Sequence, residues 1–139
     1  VSYQLIRHRY AETAKSCAKQ SRLPAHRLAK AVVLGDKQGF VVAVLPANRS
    51  VDLDAVNHRL NRLLSLANQN DVDLLFSDCV EGAVPALGQA YDLDVVWDER
   101  IADEPACCIE AGDHQELVCM SRNSFVRLMT RSASGRICS

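Results

Sequence analysis

The sequence predicts an α/β domain of the α+β type, with a mixed, mostly antiparallel sheet and helices flanking it. Three observations carry that prediction. Residues 28–47 hold two apolar runs around a turn rich in Gly, Asp and Lys, the pattern of a hairpin whose strands are buried on both faces. The remaining segments read as helix, hairpin, helix, short strands and a last helix, without the strict strand–helix alternation of a doubly wound parallel sheet. Finally, 139 residues, 48% of them hydrophobic, suit one domain with a core of its own, spanning residues 1–139.

Taken in order, Ala11, Ala14, Cys17 and Ala18 recur at helical spacing and predict a helix over 10–21. Its small residues suit close packing on a sheet, and Pro24 ends the segment. Residues 29–34 and 40–45 form the hairpin, with Gly35 and Gly39 expected to supply positive φ angles in its connection. Pro46 closes the second strand because it has no N–H for a ladder. Ser50 is a candidate cap for a helix from Asp52 through Leu60, with Val56, Leu60, Leu63 and Leu64 as its apolar stripe. Residues 64–67 read equally well as a short strand. Asn68 or Asn70 caps a further short helix through Leu75 and Phe76, carrying Asp71 and Asp73 in its first turn. Residues 77–88 form a loop by their Gly and Pro content. Strands are expected at 95–98 and 106–110, and residues 116–120 pair with the latter. Ser121 caps a helix over 122–130, with Phe125, Leu128 and Met129 turned inward. The polar residues 131–139 are expected to fray.

No apolar run is long enough to span a membrane. Residues 1–10 carry Arg7 and Arg9 and no apolar segment of signal-peptide length, which points to the cytoplasm. The six cysteines contain no C-x-x-C pair, and most are expected to be small buried hydrophobes in a reducing compartment. A net charge of −1 hides an asymmetry. Residues 1–37 hold eight Lys/Arg against Glu12 and Asp36, whereas residues 71–116 hold thirteen acids against Arg100 alone. Residues 117–139 add four arginines and no acid. Brought together, the two chain ends would make a basic surface suited to a phosphate backbone, while the acidic middle argues against a general nucleic-acid coat and gives no reason to expect DNA.

Three places invite a chemical reading. Lys30 stands among Leu28, Ala29 and the apolar residues 31–34, where an ammonium must snorkel to the rim or meet an anion; the anion is the expectation. Most lysines at strand starts are rim residues. The loop 81–88, with Gly82, Pro85 and Gly88, either makes a plain turn or exposes backbone N–H groups to a carbonyl or oxyanion. Gly112 and His114 sit in a connecting turn, where a histidine is usually a surface residue but can position a hydroxyl or water. A metal site from Cys107, Cys108, His114 and Cys119 matches no zinc spacing, and no P-loop, dinucleotide fingerprint or Gly-x-Ser-x-Gly elbow is present. No cofactor is expected.

With Lys30, the Gly/Pro loop and the Ala-Gly-x-His turn in this order, the chain resembles the YbaK and prolyl-tRNA synthetase-associated editing domains, which are aminoacyl-tRNA deacylases. The matching pieces are His8 and Thr13, Ala29-Lys30-x-Val32-Val33-Leu34, Val44-Leu45-Pro46-Ala47 with Val51-Asp52-Leu53, Asp78-Cys79-x-Glu81-Gly82-Ala83-Val84-Pro85-x-Leu87-Gly88, and Ala111-Gly112-x-His114 followed by Met120. The resemblance implies a strongly curved mixed sheet with flanking helices, and hydrolysis of the ester joining a wrong amino acid, typically alanine or cysteine, to tRNA for proline. It implies catalytic roles for Lys30, Gly82 and His114, and substrate contacts for Thr13, Glu81, Ala83, Val84, Pro85 and Gly112. Partners implied are the acceptor end of aminoacylated tRNA and, as a second, prolyl-tRNA synthetase. Glu81, Val84 and Ala31 stand where many members have Gly, Ser and Thr. An aminoacyl ester is already reactive, so positioning water and stabilising the oxyanion suffice without a metal or a Ser-His-Asp set. A rival reading is a non-catalytic tRNA- or synthetase-binding module on the same fold.

Overall fold

The structure is a computed structural model, and it describes residues 3–7, 23–79, 86, 88–110 and 116–139. The helix expected over 10–21 lies outside them. Two long strands, β2 (Leu28–Asp36) and β3 (Gly39–Pro46), follow a short β1 (Gln4–Arg7) that the sequence did not announce. Next come α1 (Leu53–Leu60), β4 (Ser65–Leu66), α2 (Gln69–Leu75) and β5 (Asp94–Asp98). The chain ends with β6 (Ala106–Glu110), β7 (Glu116–Ser121), α3 (Arg122–Leu128) and β8 (Ala133–Gly135).

The strands form one mixed sheet in the order β1-β7-β6-β2-β3-β5-β8, with β4 paired to the outer half of β2. β2 and β3 run antiparallel in register from Ala29↔Pro46 to Asp36↔Gly39. Parallel partners flank that pair, β6 on β2 and β5 on β3, and β8 lies parallel beyond β5. Antiparallel pairing joins β6 to β7 and β7 to β1. The expected mixed sheet is therefore present.

Alternation along β2 and β3 builds two faces, each with its own core. Ala29, Val33, Val42 and Val44 pack with Phe76, Trp97, Phe125 and Met129, and the Trp97 and Phe125 rings meet edge to face at 5.7 Å. On the other face Leu34, Val41, Ala43 and Leu45 pack with Val56, Leu64, Ile137 and Cys138. A smaller cluster of Leu28, Ala47, Cys108 and Leu117 continues that second face.

Local chemistry sets the element ends. Of the two hairpin glycines, only Gly39 takes a positive φ (140°). Gly35 serves its cross-strand partner instead: a Cβ there would lie 3.0 Å from the Phe40 ring, which covers the glycine. Asp36 closes the turn by accepting from the N–H groups of Gln38 (2.8 Å) and Gly39 (3.2 Å), and Arg62 Nε donates to its second oxygen at 2.8 Å. Asp52, not Ser50, caps α1, accepting from Ala55 N at 3.1 Å. Asn68 and Ser121 cap α2 and α3 as expected.

The C-terminal residues correct the expectation of a frayed tail. β8 joins the sheet, Ile137 is fully buried, and Val51 bridges Cys138. Asp98 holds this segment in place. Its fully buried carboxylate accepts from the N–H groups of Ile137 (2.9 Å), Cys138 (3.1 Å) and Arg100 (2.8 Å), and from Cys138 Sγ at 2.9 Å. A polar tail is legible as frayed only while its partner carboxylate, some forty residues upstream, goes unseen. A second correction concerns cysteines: Cys108 and Cys119 face each other across β6 and β7 and are bonded. Cys79, Cys107 and Cys138 are free thiols.

Asp98→Ala leaves four donors and the Arg100 charge without their acceptor, and is expected to cost about 3 kcal/mol in urea unfolding. Amides of Ile137 and Cys138 should lose exchange protection first. Acid sensitivity follows from two carboxylates. Arg62's hydrogen bonds, against an opposing effect of burial, lower Asp36 to about 2. Burial pushes Asp98 up, yet the bonds from Cys138, Arg100 and Ile137 outweigh it and hold the group below its usual range. Both folded values lie below the unfolded ones, so their stabilisation is complete above about pH 4 and is lost as pH falls toward 2. Arg62→Ala should flatten that acid limb in thermal melts recorded from pH 2 to 6.

Candidate active site

Lys30 is half-buried on β2, opposite Leu45 on β3. The parallel register Leu28↔Cys108 and Ala29↔Ile109 runs one position short of Lys30 on β2 and of Glu110 on β6. Lys30 therefore stands level with the last residue of β6, on the sheet face that Leu28 and Cys108 share. From Glu110 the chain enters residues 111–115 and returns at Glu116 on β7. Lys30, Glu110 and Glu116 are each engaged in a polar or electrostatic interaction.

Thr13, Glu81, Gly82, Ala83, Val84, Pro85, Gly112 and His114 lie outside the described residues. What is described is how the ends of the Gly/Pro segment are held. On its upstream side the Tyr91 hydroxyl donates toward both Asp78 oxygens at 3.0 Å, and Cys79 Sγ lies 3.4 Å from the same hydroxyl. The Phe76 and Tyr91 rings pack at 4.6 Å between centroids. On its downstream side Ala86 is buried in the first-face core. Gly88 then passes so close to the sheet that a Cβ would lie 2.8 Å from a Val42 methyl and 2.9 Å from a Val95 methyl. The Gly88 carbonyl accepts from Leu93 N at 3.0 Å. Burial chiefly raises the Cys79 pKa, with the negative charge of Glu110 at the end of β6 adding the least.

Among the described thiols none is set up as a nucleophile. Burial pushes Cys79 up and carries Cys107 to about 12, so both stay protonated at neutral pH. Burial likewise raises the Tyr91 phenol, which keeps it a hydrogen-bond donor. Cys107 points to the first-face core and Cys108 to the opposite cluster, bonded to Cys119. That separates the cysteines of the conceivable metal set. Among the described residues no group of three His, Cys, Asp or Glu side chains is placed to hold a metal.

Sequence reasoning missed Tyr91, Asp78 as its partner, and Glu110. Tyr91 carries no motif, because its role is set by a ring contact fifteen residues upstream. Gly88 was legible as part of the loop pattern but not as a close approach to the sheet.

A central antiparallel strand pair flanked on each side by a parallel strand, in one mixed sheet with helices around it, defines an α/β domain of the YbaK-like editing fold. A family model described as the aminoacyl-tRNA editing domain matches residues 8–128, and the chain belongs to that family. Among solved structures, hypothetical protein APE2540 superposes with a TM-score of 0.88 at 16% identity, over 100% of this chain and 93% of its own. A candidate trans-editing enzyme for prolyl-tRNA synthetase superposes with a TM-score of 0.84 at 18% identity, over 99% of this chain and 87% of its own. A candidate signal transduction protein from Marinobacter aquaeolei VT8 gives a TM-score of 0.77 at 22% identity, over 96% of this chain but 27% of that longer one. These likenesses are likenesses of fold. No curated protein sequence matches the chain.

Gly88→Ala is expected to destabilise the domain by about 1–3 kcal/mol, since Val42 and Val95 belong to the packed sheet and have little room to move. Val95→Ala in the same chain should recover part of the loss, measured by chemical denaturation.

Proposed function

We propose that this protein is a trans-editing hydrolase that deacylates mischarged tRNA, with alanyl or cysteinyl esters of tRNA for proline as substrates. The support is membership of the editing-domain family over residues 8–128, a span that holds every residue of the proposed site. In this reading Lys30 anchors the phosphate of the 3′-terminal nucleotide, and backbone N–H groups near Gly82 polarise the ester carbonyl. His114 forms the opposite wall. Thr13 lies beside the terminal adenosine, while Glu81, Ala83, Val84, Pro85 and Gly112 shape the aminoacyl end.

The reaction needs no protein nucleophile. The free hydroxyl of the terminal ribose helps to activate water, which adds to the carbonyl carbon. The ester C–O bond then breaks, and the ribose oxygen leaves as a hydroxyl carrying the proton. A small pocket admits alanine or cysteine and excludes larger residues by clash. The work is assigned to the cytoplasm, with the tRNA acceptor end as partner and prolyl-tRNA synthetase as a second.

The test is ester loss from Ala-, Cys- and Ser-charged tRNA for proline. Clearance of at least one should fall by about a hundredfold in Lys30→Ala, two powers of ten being roughly 2.7 kcal/mol of transition-state stabilisation. A chelator should leave the wild-type rate unchanged. Equal rates for wild type and Lys30→Ala would refute the catalytic assignment, and tRNA binding without turnover would favour the non-catalytic module.

A further inference from the structure

A cavity of about 250 Å³ opens at the end of the sheet where β3 finishes, and its walls bring together arginines from three separate stretches of chain. Arg49 comes from the turn after β3, where its N–H donates to the Pro46 carbonyl at 3.0 Å. Arg100 follows β5 and is fixed by its bond to the Cys138 carbonyl at 2.8 Å. Arg136 arrives with the C-terminal segment, which is tied to the Arg49 turn by Ser139 N→Ser50 O (3.0 Å) and Asp52 N→Ile137 O (2.7 Å).

The acids nearby are unevenly matched. Glu104 is held by His26 at 3.3 Å and Arg27 at 3.7 Å, and Asp98 by Arg100. Among the described residues Arg49 and Arg136 form no ion pair with a carboxylate, while Asp103 interacts electrostatically with Arg100 without forming a close ion pair. Arg122 stands next to the cavity wall, donating to the Glu104 carbonyl at 3.0 Å. Unmatched guanidinium groups in a polar concavity suit a phosphate, whose oxygens fit their forked donors. Along the strands the cavity reaches almost to the level of Lys30. Pro46 lines it and pairs with Ala29, one residue or about 3.3 Å along the strands from the Lys30↔Leu45 pair.

We propose that this cavity is a second RNA contact, in which Arg49, Arg100 and Arg136 hold a backbone phosphodiester of the acceptor strand beside the nucleotide anchored at Lys30. The inference rests on the tRNA reading above. Asp103 weakens the site, so its charge sets the affinity in the opposite sense.

Binding of an uncharged acceptor-stem hairpin, followed by fluorescence anisotropy over a potassium chloride series, tests the proposal. Arg49→Ala/Arg136→Ala should weaken binding about tenfold and lower the slope of log affinity against log salt by about one. Asp103→Asn should tighten binding, a gain that damaged folding cannot mimic. Lys37→Ala, which removes a charge at the far tip of the hairpin, should change neither quantity. An unchanged slope in the double variant, or an equal loss in Lys37→Ala, overturns the proposal. So does calorimetric binding of inorganic phosphate that the double variant abolishes while hairpin binding is untouched, which would assign the cavity to a free anion. Hairpin binding with no ester loss fails the hydrolase reading alone. Ester loss with an unchanged slope in the double variant fails this inference alone.

Discussion

The β2–β3 pair is the constraint to which the rest of the structure answers. Its ladder runs without interruption from Ala29↔Pro46 to Asp36↔Gly39, and apolar side chains leave it on both faces. A strand pair buried on both sides has no solvent-facing register to slip into, because a shift of one residue would exchange the two cores. Every other strand except β1, β7 and β8 pairs directly with one of these two. The same rule that exchanges the cores also fixes Lys30: it must leave the sheet on the face of Leu28, Val32 and Leu34.

The elements that answered to local chemistry were legible in the sequence. The hairpin, the Asn68 and Ser121 caps and the strand at 106–110 depend on residues within a few positions of one another. Elements that answer to distant partners were not. β1 is ordered by β7, more than a hundred residues later in the chain. The C-terminal segment is ordered by Asp98, whose acidic side chain in sequence looks like any other member of the acidic middle. The Cys108–Cys119 bond likewise needs the β6–β7 register before either residue can be matched.

The candidate site divides along the same line. Lys30 was conspicuous because a charge interrupts an apolar run, and the loop because Gly and Pro punctuate it. Nothing local marks the anchors that hold the segment ends. Tyr91 meets Asp78, 13 residues upstream, and Phe76 only in the folded chain, and Gly88 reveals its purpose only against Val42 and Val95. These contacts are made by ordinary side chains, and they hold the two ends of the segment.

Charge shows most clearly what folding adds to composition. The sequence divides into basic ends and an acidic middle, which by itself suggests two opposed surfaces. In the folded chain several of the middle acids have internal duties: Asp98 is buried under the C-terminal segment, Asp78 takes the Tyr91 hydroxyl, and Glu104 meets His26 and Arg27. Asp36 performs the same service for Arg62 from the basic end of the chain. Matching charges in this way removes most of them from the long-range field. What remains near the end of β3 is Arg49 and Arg136, unmatched among the described residues, with Asp103 opposing them. A chain that is almost neutral in sum thus presents a local excess of positive charge, and it does so one strand position from the level of Lys30. Local excess, not net charge, decides where a phosphate backbone settles on a protein.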